Sequence, residues 1–410
     1  MQHPADRPSV CPSELPRVEI TGLYVHIPFC FHKCHYCDFY SITHQTESRM
    51  ARFVELLLSE ARMWGSESAG PTLRPRTVFL GGGTPTLLPL PEMHRLLQGL
   101  RAEFDFSALR EWTVEANPAT VSLEYLRMMR ACGVDRISFG AQSFDRSELK
   151  TLERHHEPAD VPEAIRLAAE AGFKRINLDL IFGIPGQSMD SWACSLNRAM
   201  SLGLDHLSCY NLTYEPNTPL AVKRRMNLLT PLGEDLELEM FRHTRRTLGD
   251  AGILPYEISN FARRGQECLH NLLYWSGGSY IGLGPAAASH IAGTRFRNRP
   301  HLGEWETGVC AGALPVVDVE TPTPRQRAFE MIMLALRLSG GLNFSEYAGQ
   351  TGSDARRMFA PQIDHFARLG LLNVDDQRMS LSDRGVELSD AIVSAFLETG
   401  ENTTIRTLPV

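Results

Sequence analysis

The sequence predicts a parallel α/β fold whose strands curve into a barrel-like bowl, followed by a smaller α+β module. Three observations predict it. From residue 20, short β-branched runs alternate with longer segments of helical period, the pattern of repeated βα units. Glycine-rich and polar stretches, "GGGTP", "EANP", "AQS" and "GIPG", sit directly after strand candidates. Beyond about residue 321 the alternation gives way to helices around a short β wing. A parallel sheet offers its ligand groups at the carboxyl ends of its strands, so chemistry gathered there favours a bowl with one shared site over an open sheet.

The strand candidates, in order, are "LYVHI" (23–27), "TVFLG" (77–81), "WTVEA" (112–116), "RISFG" (136–140), "INLDLIFG" (176–183) and "HLSCYNL" (206–212). Between them, "ARFVELLLSEARMW" puts Phe53, Leu56, Leu57 and Met63 on one helical face, and "VPEAIRLAAEAG" stops on Gly172. After Leu212 the pattern loosens into a charged helix (about 234–250) and an aromatic, glycine-rich stretch. "TPTPRQ" (321–326) reads as a linker. The remainder resembles a winged-helix module, yet residues 325–400 hold 8 Lys and Arg against 10 Asp and Glu. Without the basic face of a DNA reader, that module reads as a structural or docking cap. The expected division is a lead (1–20), a barrel core (21–215), a barrel-completing region (216–320) and the C-terminal module (321–400).

Composition narrows the function classes. With 43% hydrophobic and 22% charged residues in 410, the chain has a globular make-up and enough length for two or three domains. A net charge of -7 with mixed signs gives no general attraction to nucleic acid. The N-terminus lacks the basic flank and apolar run of a signal peptide, and no segment has the roughly 18 apolar residues of an integral membrane span, so a cytoplasmic protein is expected. Nine cysteines, an odd number, then read as free thiols or metal ligands and not as a disulfide framework.

Three of those cysteines, Cys30, Cys34 and Cys37, crowd into "CFHKCHYCDF". A structural zinc ion needs four closed ligands and would have to recruit His26, His32 or His35. A four-iron cluster normally takes four thiolates, and three leave one iron open to something other than protein. One βα unit later, Gly81, Gly82 and Gly83 let the backbone approach a ligand, although glycine turns end many strands. Glu115, Gln142, Arg154 and Asp179 are polar or charged residues at or near strand ends. Singly each reads as a solvated or salt-bridged residue. Together they would converge on a ligand with amino, carboxylate and ribose groups.

The motifs "YVHIPFC" with its C-x3-C-x2-C loop, "GGGTPT", "SFGAQSF" and "DLIFGIPGQ" resemble the radical S-adenosylmethionine (SAM) superfamily. The resemblance runs from about residue 20 to 390, toward the branch that holds oxygen-independent coproporphyrinogen III oxidases and HemW heme chaperones. It implies a partial (β/α)6 radical SAM barrel with a [4Fe-4S] cluster on Cys30, Cys34 and Cys37, whose open iron chelates SAM. One electron into the sulfonium would then leave methionine and a 5′-deoxyadenosyl radical. By motif match, Tyr24, Gly82 and Glu115 would line the SAM on the cluster. Tyr36, Gly83, Thr84, Gln142, Arg154, Asp179 and Thr213 would correspond to a second SAM pocket of the oxidase. Without that match, Tyr24 and Tyr36 would read as core aromatics.

Within the branch the resemblance divides. Where the oxidase has a fourth cysteine two residues after the triad, this chain has Phe39, and only 23 residues precede Tyr24. Both features resemble the chaperones. So does "HNLLYW" (270–275), which matches a motif associated with heme, and His270 is the ligand it offers. A lone histidine in an aromatic stretch is more commonly a hydrogen-bonded structural residue. Cys268 is a second iron-ligand candidate that reads better as a small buried hydrophobe. The favoured expectation is a heme-binding chaperone with [4Fe-4S], SAM and heme as cofactors and apo-hemoproteins, respiratory ones among them, as partners. The alternative is an oxidase that decarboxylates two porphyrinogen propionates.

Overall fold

The computed structural model describes residues 15–65 and 72–397. The first fourteen residues of the expected lead and residues 398–400 of the expected C-terminal module lie outside the described residues. All six expected strands form: β1 (Glu19–Ile27), β2 (Thr72–Gly82), β3 (Glu111–Ala116), β4 (Arg136–Gln142), β5 (Arg175–Phe182) and β6 (His206–Asn211). They lie side by side in chain order and every pairing is parallel. Parallel neighbours require crossovers, and helices supply them. These are α1 (Glu47–Gly65), α2 (Leu90–Glu103), α3 (Leu123–Ala131), α4 (Arg146–Thr151), α5 (Asp160–Glu170) and α6 (Met189–Ser201).

The expected helical face of α1 is the buried one. Phe53 and Leu57 have no exposed surface and Leu56 has 4%. Burying side chains of this size is worth about 1.5–3 kcal/mol each. α5 stops at Glu170, and Gly172 follows at φ +91°, the left-handed backbone that ends many helices.

The strands do not read as the continuous apolar runs expected of a sheet covered on both faces. On β4, Ile137 and Phe139 alternate with Arg136 and Ser138; on β5, Leu178 and Leu180 alternate with Asn177 and Asp179; on β6, Leu207 and Cys209 alternate with His206 and Ser208. Since successive side chains point to opposite faces, one face packs under helices and the other is a polar interior.

Residues 216–320, the expected barrel-completing region, add strands at both edges of the parallel sheet. After α7 (Pro219–Arg225) and α8 (Glu234–Asp250) come the short strands β7 (Leu254–Pro255) and β8 (Asn260–Ala262), with β8 antiparallel to β6. After α9 (Leu269–Trp275), β9 (Tyr280–Leu283) joins the opposite edge parallel to β1. The antiparallel strands β10 (Ala288–Ile291), β11 (Thr294–Asn298) and β12 (Val316–Glu320) extend that edge, with α10 (Leu302–Cys310) between the last two. The segment therefore lengthens the sheet at both ends, and β12 and β7 remain its edges.

The expected linker is shorter than six residues. Thr323 caps α11 (Pro324–Ala335): its hydroxyl accepts from the Gln326 amide 3.3 Å away while the Gln326 side chain accepts from the Thr323 amide at 2.8 Å. This reciprocal cap, with proline at the first helical position, turns most of "TPTPRQ" into a helix start. Beyond it, four further helices pack with a three-stranded antiparallel wing of residues 342–343, 372–374 and 378–381, and a last helix, Ser389–Leu397, completes a second core. That arrangement matches the winged-helix-like module read from the sequence. Ion pairs from Arg242 to Glu387 (2.7 Å) and Arg245 to Asp383 (3.3 Å) tie it to α8.

Candidate metal centre

Cys30, Cys34 and Cys37 lie in the loop between β1 and α1, and that loop is pinned along its length. The Cys30 amide donates to the Ile42 carbonyl (2.9 Å) and the Ile42 amide to the Pro28 carbonyl (2.8 Å). Further along, the His35 amide donates to the Leu152 carbonyl (3.1 Å), and the Leu220 amide of α7 donates to the His35 carbonyl (3.0 Å). None of the three is in a disulfide.

The glycine turn after β2 docks against this loop. The Gly83 amide donates to the Ile27 carbonyl (2.8 Å) and the Thr84 amide to the Phe29 carbonyl (2.7 Å). A Cβ on Gly83 would stand 2.6 Å from the Phe29 oxygen, and on Gly82, at φ +101°, 2.4 Å from the His26 ring. Backbone and imidazole leave no room for a side chain there.

Together these segments wall a cavity of about 520 Å³ at the carboxyl ends of the strands. It is lined by all three cysteines and by Tyr36, Gly82, Gly83, Thr84, Glu115, Gln142, Arg154, Asp179 and Thr213. Two expected residues stand apart. Tyr24 is half-buried and does not line the cavity, with its hydroxyl 3.0 Å from His26 Nδ1 and its ring against Phe79. His270 is fully buried on α9, with Nδ1 2.9 Å from the Thr77 hydroxyl and Nε2 2.8 Å from the Tyr274 hydroxyl. Both ring nitrogens are engaged, so in this conformation the imidazole is a structural tie between α9 and β2, and the expected iron ligand is not presented. The neighbouring Asn271 does reach the cavity wall. Cys268 is buried and donates to Glu111, as its reading as a small core residue predicts.

Charge on the wall is arranged by burial. Burial pushes the Cys37 thiol up to about 11 and raises that of Cys30, against help from the Thr84 and Ser41 hydroxyls. Burial opposes the charge on Arg154, but Tyr36 and Cys34 hold its guanidinium firmly protonated. Nη1 of Arg154 lies 3.6 Å from the Cys34 sulfur and Nη2 donates to the Gly140 carbonyl. A bulge between Gly140 and Gln142 makes this possible, and Gln142 takes a left-handed φ of +66°. Burial, then the nearby Asp179 charge, push the Glu115 carboxyl up to about 8, although it accepts from the Gly82 amide. Asp179 is likewise raised by burial, against donors on Ser208, Asn177 and Ser138.

Sequence reasoning missed the floor. The Asn177 side-chain nitrogen lies 2.8 Å from the Ser138 hydroxyl, 2.7 Å from Asp179 and 3.0 Å from the Ser208 hydroxyl, and the Ser208 hydroxyl lies 2.8 Å from the Asn260 side-chain oxygen. Arg136 also faces the cavity. The signal was present as the polar half of the two-residue alternation on β4, β5 and β6.

The donor set fits a cluster larger than one ion. Among the described residues no three His, Cys, Asp or Glu side chains gather tightly enough to hold a single metal ion. Of the histidines that a zinc site would recruit, His26 Nε2 meets the Tyr40 carbonyl at 2.8 Å, and His32 and His35 face Glu153 at 3.9 and 3.7 Å. Three thiols spread along the wall suit three corners of a four-iron cube.

Comparison with known proteins agrees with this geometry. Residues 24–198 match the radical SAM superfamily and residues 323–388 the HemN C-terminal domain. The coproporphyrinogen III oxidase HemN from Escherichia coli, described as a radical SAM enzyme, has a similar structure, with a TM-score of 0.80 and 25% identity over 92% of this chain and 90% of that one. The heme chaperone HemW of Bacillus subtilis (strain 168) is 35% identical over 378 residues, 91% of this chain and 98% of that protein. The heme chaperone HemW of Escherichia coli (strain K12) is 34% identical over 379 residues, 92% and 98%. With a three-cysteine loop at the mouth of a partial (β/α)6 barrel and full-length relatives of this similarity, the chain belongs to the HemW family of the radical SAM superfamily.

Proposed function

We propose that this chain is a heme chaperone that carries a [4Fe-4S] cluster and SAM, captures heme and delivers it to apo-hemoproteins, respiratory ones among them, in the cytoplasm. The observation that carries the reading over its enzymatic alternative is Phe39. Where the resemblance gives the oxidases a fourth cysteine, this chain has an aromatic ring that is 66% exposed at the cavity rim. The HemW relatives, matched over nearly their whole length, support it. Free thiols suit a reducing compartment, and no helix among the described residues is long and apolar enough to cross a membrane.

The wall fits a cluster on Cys30, Cys34 and Cys37 with SAM beside it. When bound, that pair supplies one-electron cleavage of a carbon–sulfur bond. The chain's own groups prepare the site. Arg154 sets a fixed positive charge beside the Cys34 sulfur. The glycine turn brings main-chain groups against the loop with no side chain between. Glu115, with its carboxyl up at about 8, holds a proton at neutral pH. A ligand ammonium placed against it favours the carboxylate, which then releases that proton. Asn177, Ser138 and Ser208 anchor Asp179 at the floor, an acceptor suited to ligand hydroxyls.

An anaerobic heme titration beside a porphyrinogen assay tests the proposal. Stoichiometric heme uptake without porphyrinogen turnover is expected. Conversion of coproporphyrinogen III at catalytic turnover with SAM and reductant, alongside negligible heme uptake, overturns it.

A further inference from the structure

Among the described residues the four most exposed large hydrophobic side chains are Phe31 (74%), Leu228 (71%), Phe39 (66%) and Met226 (62%). They belong to two neighbouring segments. Phe31 and Phe39 are in the cysteine loop and line the cavity. Met226 and Leu228 follow α7, where Leu229 packs in one cluster with Tyr36 of the cysteine loop.

Contacts run unbroken between the segments. Lys223 Nζ is 3.3 Å from His35 Nδ1, and Glu153 spans His35 and His32. The His32 ring is 4.5 Å from that of His155, and His155 is 5.8 Å from that of Phe31. α7 closes on three consecutive cations, Lys223, Arg224 and Arg225, in a chain of net charge -7. His155 is exposed at the cavity mouth, and neither ring nitrogen has a hydrogen-bond partner among the described residues.

Two exposed aromatic rings on one cavity rim, an imidazole without a hydrogen-bond partner and a run of cations match the three parts of one molecule: the porphyrin face, the iron and the two propionates of heme. We propose that this rim is where heme docks, with Phe31 and Phe39 against the macrocycle, His155 ligating iron and the end of α7 receiving the carboxylates. The placement rests on the heme-chaperone reading, and it puts the ligand on the cysteine-loop side of the cavity and not on the "HNLLYW" helix, whose histidine is fully engaged.

Hemin is titrated into the full-length, cluster-loaded protein without oxygen, with cluster absorbance and thermal midpoint as checks of folding. His155→Ala is expected to lose the Soret position of an imidazole-ligated heme and to weaken capture about tenfold. Free imidazole in solution should restore the spectrum. The double variant R224E/R225E is expected to weaken capture roughly tenfold and to flatten its dependence on salt. If wild type takes up heme and both variants match it, the placement is wrong and the chaperone reading stands. Unchanged capture with lost delivery to an apo-hemoprotein would assign the rim to the recipient and equally overturn the placement. Failure of wild type to bind hemin overturns both.

Discussion

The guanidinium of Arg154 reaches the sulfur of Cys34 at 3.6 Å from a residue 120 positions along the chain. The loop after α4 thereby supplies a fixed positive charge to the loop after β1. A cation beside a negatively charged cluster offsets part of that charge. Replacing Arg154 by Met should lower the reduction potential of a reconstituted cluster, because net charge around a cluster sets its potential. Redox titration followed by electron paramagnetic resonance measures it, and an unchanged potential would refute this role for Arg154.

Cys34→Ala should abolish the brown absorbance of the reconstituted protein, since two thiolates cannot hold three corners of a cube. Iron and sulfide analysis gives the check. Full retention of both in the variant means the ligands are misassigned.

His270→Ala should act on stability first. It removes a fully buried ring and leaves the Thr77 and Tyr274 hydroxyls without partners, at a cost of about 2–4 kcal/mol. Denaturant unfolding of wild type and variant gives the difference. In folded variant protein, heme uptake should persist.

Glu115 should leave a mark on the pH dependence of stability. Its folded carboxyl is held at about 8, against an ordinary 4.5, so between those values the folded state binds the proton and the unfolded state does not. Stability from this group is full below about 4.5 and falls as pH rises, by at most about 1.4 kcal/mol per pH unit, and levels off above about 8. Buried histidines such as His270, pushed down to about 4, act oppositely and mainly below 6.5. The comparison of wild type with Glu115→Gln between pH 6.5 and 8 isolates the carboxyl. Parallel curves across that window would show that Glu115 does not titrate there.

Gly83→Ala should prevent the glycine turn from seating on the cysteine loop, because its Cβ meets two main-chain oxygens within 2.7 Å. Loss of cluster assembly and destabilisation of several kcal/mol are expected. Reconstitution to wild-type iron content in this variant would show that the turn can move aside.

Chemistry that depends on local pattern was legible in the sequence. The six strands, the thiol spacing, the glycine turn and the polar residues at strand ends all follow from short-range rules about backbone freedom and side-chain alternation, and the structure brings Glu115, Gln142, Arg154 and Asp179 to the same cavity. Phe39 was visible as a departure, although only its exposure shows that it faces outward at the mouth. The tertiary structure alone decided where "HNLLYW" points. Nothing in six residues says that Glu111 of β3 will accept from the Leu269 and His270 amides, or that Thr77 of β2 will take the imidazole, because both partners lie more than 150 residues away. The same holds for the edges of the sheet. Strand propensity predicts a strand, but whether residues 254–320 close a barrel or extend it depends on which distant edge has unpaired amides and carbonyls to offer.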